Sequence, residues 1–171
     1  MTETKPATPA VKGAFLTLVL LLVGLGVYFS GGVTDRRITY YLFAVLFVGI
    51  MLSSRFYAKQ MDGNVTFGNV FAEGFKTTAV IIVLSSICTI ISLKLIFPGI
   101  VDKLVEAGKM EMKKEGGSSD EQIKTYFEGM RGFMVPIIMG YIIFFFGLVG
   151  ALGSLAGAAT AKKNTGNSIA K

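Results

Sequence analysis

The sequence predicts an all-α integral membrane protein, a four-helix bundle with a helical extramembrane hairpin between its third and fourth spans. Three observations carry this. Four uncharged, mainly apolar stretches, Gly13 to Thr34, Ile38 to Ser54, Thr77 to Leu93 and Gly132 to Ala161, fill much of the 171-residue chain. Hydrophobic residues make up 52% and charged residues 16%, with a mean hydropathy of +0.62, whereas soluble domains carry roughly 25% charged residues. One sizeable polar segment, Gly99 to Arg131, separates the last two stretches. A helix rises 1.5 Å per residue and the hydrocarbon layer is about 30 Å thick, so roughly 20 apolar residues suffice to cross.

The chain divides as a single membrane domain, 1–171, with a disordered polar tail at 1–12 and spans at about 13–34, 38–54, 74–97 and 132–159. A polar helical loop occupies 99–131 and a basic tail 162–171. The first segment, with Lys5, Pro6, Pro9 and Lys12, is too polar to bury a core. The apolar run after it exceeds a typical signal-peptide core and lacks a small-x-small cleavage site, so it reads as a span. A short turn from Ser30 to Arg37 follows, in which Asp35 can cap the second helix. The first two spans should therefore form a tight antiparallel hairpin.

Tyr40 and Tyr41 open the second span and Phe56 and Tyr57 close it, an aromatic-belt pattern. Asp62-Gly63-Asn64 signals a turn, and Thr66 can cap a helix bearing Phe67, Val70, Phe71 and Phe75 on one face. Phe67, Phe71 and Phe75 are candidates for an interfacial helix, although the simpler reading makes them the first turns of span three. Lys94 falls near the end of that span, close to Pro98 and Gly99, where its stem can lie along the helix while the ammonium reaches water.

The polar segment breaks at Gly116-Gly117, implying two short helices. Ser118-Ser119-Asp120-Glu121 fits a capping box ahead of Ile123, Tyr126, Phe127 and Met130 at helical spacing. In span four, Pro136 should bend the helix, since proline removes a donor and crowds the preceding turn. Toward its end Gly150, Gly153, Ser154 and Gly157 form a small-residue face, with a GxxxG at Gly153 and Gly157. Such faces let helix backbones approach closely in lipid, where no hydrophobic force drives association.

Several function classes are excluded or demoted. The net charge of +6 would suggest nucleic acid in a soluble protein; here the basic residues flank spans, so lipid headgroups are the expected partner and nucleic acid is not. Cys88 is the single cysteine and there is no histidine, so no intrachain disulfide or cysteine cluster forms; Cys88 reads as a small core residue. Asp120, Glu121 and Glu128 sit among Lys124 and Arg131 and match no calcium loop. No acid lies in the four stretches and no nucleophile–base pair is present, so no enzyme activity and no cofactor are expected. Basic residues near the termini and after span two (Lys5, Lys12, Arg55, Lys59, Lys76, Lys162, Lys163, Lys171) outweigh Arg36 and Arg37 on the opposite side, which puts both ends in the cytoplasm. The long loop works against that count with Lys103, Lys109, Lys113, Lys114, Lys124 and Arg131, interspersed with seven acidic residues.

The order of these features resembles the bacterial domain-of-unknown-function 4199 family of small four-span membrane proteins. The resemblance lies in the run from Gly63 to Phe75, the charged Lys109 to Gly117 segment followed by Ser119-Asp120-Glu121-Gln122-Ile123, Pro136, and the closing lysine pair Lys162-Lys163. It implies an architecture and a bacterial inner membrane, and it carries no activity. The expected role is a scaffold, accessory subunit or envelope component that works through helix packing and its polar loop, partnered by lipid, a second copy or another membrane protein. The alternative is a small oligomeric transporter or channel; against it, coupled carriers usually keep an ionisable group at the midplane, and only Lys94 competes for that place.

Overall fold

The computed structural model describes residues 7–31, 35–97, 99–117 and 119–162. All regular structure among them is helical: α1 (Pro9–Phe29), α2 (Arg36–Gln60), α3 (Phe67–Ile91), α4 (Ile100–Glu115), α5 (Asp120–Arg131), α6 (Met134–Tyr141) and α7 (Gly147–Thr160). A π-helical turn at Ser92–Ile96 prolongs α3, and another at Ile142–Phe146 joins α6 to α7. Four helices are long and apolar enough to cross a membrane: Pro9–Phe29, Arg37–Gln60, Phe67–Ile96 and Met134–Thr160. The fold is an all-α helical bundle and the protein a multi-pass membrane protein.

Each boundary has a local cause. The Thr8 side chain accepts from the Val11 amide and Pro9 occupies the first turn, where a missing N–H costs nothing. Residues Pro9–Lys12 are therefore helical, which corrects the polar tail drawn to residue 12; residues 1–6 lie outside the described segments, as do 32–34, Pro98, Ser118 and Lys163 to Lys171. Asp35 caps α2 as its position predicts, accepting from the Arg37 amide at 2.9 Å. α2 runs to Gln60 instead of stopping near Ser54, and ends where Gly63, with φ +75°, donates to the Ala58 carbonyl at 2.9 Å. Thr66 caps α3 by accepting from the Asn69 amide at 3.2 Å, so span three begins at Phe67 and not near 74.

The chain forms two compact units, Met1–Leu84 with Phe144–Lys171, and Ser85–Ile143. In the first, Leu46, Ile50 and Ile81 are fully buried, with Leu16, Leu20, Phe146 and Val149 packed around them. Ala58, Val70 and Ala158 form a second cluster with Tyr57, Val65, Phe71 and Ala161. Glycines let these helices meet: a Cβ on Gly13 would come within 2.6 Å of Val80 Cγ1 on α3, and one on Gly49 within 2.7 Å of Leu16 Cδ2 on α1.

In the second unit, α4 and α5 enclose Val105, Ile123 and Phe127, with Met112 and Met134 against them. Gly108 leaves room for the Phe127 ring, since a Cβ there would lie 2.7 Å from Cζ. The capping box falls one residue later than its sequence position suggested. Gln122 donates its backbone N–H to Ser119 Oγ at 3.3 Å and accepts from the Ser119 amide at 2.9 Å. Pro136 falls at the start of span four, as its sequence position implies. It sits in the first turn of α6, where the N–H it lacks has no helical partner; the irregularity comes six residues later, in the π-helical turn.

Candidate functional site

The first unit holds a buried ion pair. Lys12, in the first turn of α1, places Nζ 2.8 Å from Glu73 Oε1 on α3, and both residues are 8% exposed. The ammonium also lies 5.2 Å from the centroid of the Tyr57 ring on α2, within cation–π range. Three helices thus converge on one charge pair. This corrects the expectation that the acids lie outside the spans, because Glu73 belongs to the third span. Charges inside membrane helices are costly unless paired and facing the interior, and Lys12 and Glu73 meet both conditions.

Buried hydroxyl groups recur along α1, α3 and α7. Thr17 donates to the Gly13 carbonyl at 2.8 Å, Thr77 to Glu73 at 2.9 Å, Thr78 to Gly74 at 3.0 Å and Ser154 to Gly150 at 2.7 Å. Bonding back to the preceding turn satisfies each hydroxyl within its own helix. Ser53 and Ser54 differ: their Oγ atoms are buried without a hydrogen-bond partner.

The small-residue face predicted on span four is buried in full: Gly150, Gly153, Ser154 and Gly157 all turn inward. It meets two helices. A Cβ on Gly153 would lie 2.9 Å from the Phe47 carbonyl, and one on Gly157 would lie 2.6 Å from Ser54 Cβ and 2.9 Å from the Met51 carbonyl, so this pair receives the α2 backbone. Gly150 instead receives Thr78 of α3, and Ser154 stands against Gly74.

The interfacial candidates are dispersed. Phe71 and Phe75 stack with centroids 5.9 Å apart, but Phe71 packs into the second core cluster while Phe67 and Phe75 remain exposed. The helix that carries them is continuous with span three, so they are its first turns. Lys94 is exposed in the π-helical turn Ser92–Ile96, and Cys88 is a half-buried free thiol. Among the described residues no group of three or more His, Cys, Asp and Glu side chains comes together to hold a metal.

Beside the ion pair, a groove of about 1240 Å³ runs between α1 and α2. Val11, Lys12, Phe15 and Leu16 form one wall, and residues of α2 from Gly49 to Lys59 the other. Ala161 and Lys162 flank the end at which α1 begins and α2 and α7 finish. No local pattern announces this groove, because its walls come from segments far apart in the chain.

An all-α fold with four membrane-length helices and a charge pair locked inside defines a multi-pass membrane protein. The chain matches the family described as Protein of unknown function (DUF4199) over residues 12–163. It belongs to that family. No curated protein and no solved structure matches it.

Proposed function

We propose that this protein is a non-enzymatic scaffold or accessory subunit of a bacterial inner membrane, with both termini in the cytoplasm. The observation that carries the reading is the use made of the interior polar groups: Lys12 neutralises Glu73, and Thr17, Thr77, Thr78 and Ser154 bond back to their own helices. Such an interior serves to hold helices in place. The exposed polar surface is concentrated on α4 and α5, where Lys113 pairs with Asp120 at 2.7 Å and Arg131 with Asp102. These exposed pairs contribute little to stability, which leaves that surface free to recognise a partner. The bilayer and a second copy or another membrane protein are the partners proposed; nucleic acid and cofactors have no place in this reading.

Affinity purification from native membranes, with and without Asp102, Asp120 and Lys113 changed to Ala, tests the reading. A membrane subunit that co-purifies with the parent chain and is lost from the variant supports it. Recovery of the chain alone in both cases would count against it.

One observation favours a second reading, an oligomeric transporter: Lys12 and Glu73 are ionisable and buried in spans, and Ser54 Oγ nearby lacks a partner. Glu73 lies six residues into α3, roughly 9 Å from its start at 1.5 Å per residue, so the pair sits toward one end of the span and not at its middle. Reconstituted vesicles separate the readings, since a transporter gives an ion or proton flux that Glu73→Gln abolishes.

A further inference from the structure

We propose that the groove between α1 and α2 binds an anionic phospholipid, with its phosphate held by Arg55, Lys59 and Lys162 and an acyl chain laid against Phe15, Leu52 and Phe56. The first support is charge. Lys12 is neutralised by Glu73, but Arg55, Lys59 and Lys162 belong to none of the ion pairs among the described residues. These three cations share the groove with one carboxylate, Asp62. They surround the end where α1 begins and α2 and α7 finish, the end that meets a membrane surface. Basic pockets between spans at that level attract anionic headgroups.

The second support is the order of chemistry along the groove. On α2 the lining residues Gly49, Leu52, Ser53, Phe56 and Lys59 recur at helical spacing and so share one face. That face passes from apolar to basic over ten residues, roughly 15 Å at 1.5 Å per residue, a length suited to much of an acyl chain. At the inner end Leu16 packs over Gly49, where a side chain would collide with it. Phe15, Leu52 and Phe56 are each at least half exposed, giving apolar walls that face outward. A free phosphate would use only the basic end and a neutral lipid only the apolar end; an anionic phospholipid uses both.

The third support is independent of charge. Ser53 is 9% exposed and lines the groove, yet its Oγ has no hydrogen-bond partner. A buried hydroxyl left unpaired is costly. The Oγ is closed off in this rotamer, and rotation about χ1 toward the groove would let an ester carbonyl or phosphate oxygen of a lipid accept its proton.

Native mass spectrometry of the full chain in mild detergent tests this, using phosphatidylglycerol and phosphatidylcholine of identical chains offered together. Phosphatidylglycerol adducts should dominate, and each of Arg55→Gln, Lys59→Gln and Lys162→Gln should lower its apparent affinity roughly fivefold, in line with the effect of one basic residue on anionic lipid. The triple variant should retain the two lipids equally. Lys109→Gln, Lys114→Gln and Lys124→Gln together remove the same charge from α4 and α5 and should leave the preference intact. Because each readout is a ratio within one sample, a partial loss of folded protein does not mask it. Equal retention of both lipids by the parent chain, or retention of neither, overturns the proposal. So does equal loss of preference in the α4–α5 variant, which would reduce the effect to net charge. Displacement of the lipid by millimolar inorganic phosphate, regardless of acyl length, would mark an anion site instead.

Discussion

Lys12 and Glu73 lie 61 residues apart in the chain and 2.8 Å apart in space, tying the first turn of α1 to α3. Each charge is tolerable because of the other. Removing one partner of a buried pair leaves an uncompensated charge, typically worth about 3–5 kcal/mol, whereas replacing both with apolar residues of similar size is often neutral. Glu73→Gln and Lys12→Met should therefore each lower the thermal transition in detergent sharply, and Lys12→Met with Glu73→Leu should recover most of the loss. A double variant no better than the worse single one would mean that the pair does not fix α1 against α3.

Span four offers a second test. Gly153 and Gly157 meet the α2 backbone, with no room for a side chain. Overpacking a tight contact costs about 1–3 kcal/mol per site, so Gly153→Leu with Gly157→Leu should reduce folded yield and thermal stability. Ala159→Leu, at an exposed position on the same helix, adds comparable apolar bulk and should be tolerated. If the two variants behaved alike in size-exclusion profile and melting temperature, the small-residue face would lose its assigned role.

Much of this architecture is legible in the sequence, and what escaped has physical reasons. Runs of apolar residues locate the spans because bilayer thickness sets their length. Asp35 and Thr66 announce helix starts through short-range capping. The face at Gly150, Gly153, Ser154 and Gly157 follows from residue size at helical spacing. Glu73 was missed because a charge interrupts an apolar run and moves the apparent boundary past it. A helical signal was nevertheless present: Val70, Glu73, Gly74, Thr77, Thr78 and Ile81 recur at three- and four-residue steps, and all six are buried. Lys12 required knowing that Thr8 starts α1, and its partner depends on tertiary packing that spacing along the chain does not encode. The capping box was displaced by one residue because Ser118 and Ser119 are adjacent and either could have started α5.

The α4–α5 hairpin rests on a few contacts that can be removed singly. Phe127 is buried against Gly108, and Ser119 supplies the cap of α5. Phe127→Ala should cost about 3–5 kcal/mol, as large aromatic truncations do, and Ser119→Ala about 1 kcal/mol. Hydrogen exchange should register both. Ser119→Ala should accelerate exchange chiefly in the first turn of α5, while Phe127→Ala should accelerate it across α4 and α5. Uniform protection in both variants would show that neither contact supports the hairpin.

Topology provides the last test. α1 begins, α2 ends, α3 begins and α7 ends at one end of the first unit, together with Lys12, Arg55, Lys59, Lys76 and Lys162. At the other end, α2 opens with Arg36 and Arg37. Positive residues near span ends are retained on the cytoplasmic side, and acidic residues offset them little. Four crossings return the chain to its starting side, so the turn after α2 and the C-terminus should share a compartment, while the segment between α4 and α5 occupies the other. Reporters near Gly63 and after Lys171 should therefore signal cytoplasm, and one at Gly117 should signal the opposite side. The six basic residues from Lys103 to Arg131 pull the other way, which makes Gly117 the informative position: a cytoplasmic signal there, with both other reporters reversed, would invert the protein in its membrane. Disagreement between Gly63 and the C-terminus would instead require an odd number of crossings after α2 and would remove one of the assigned spans.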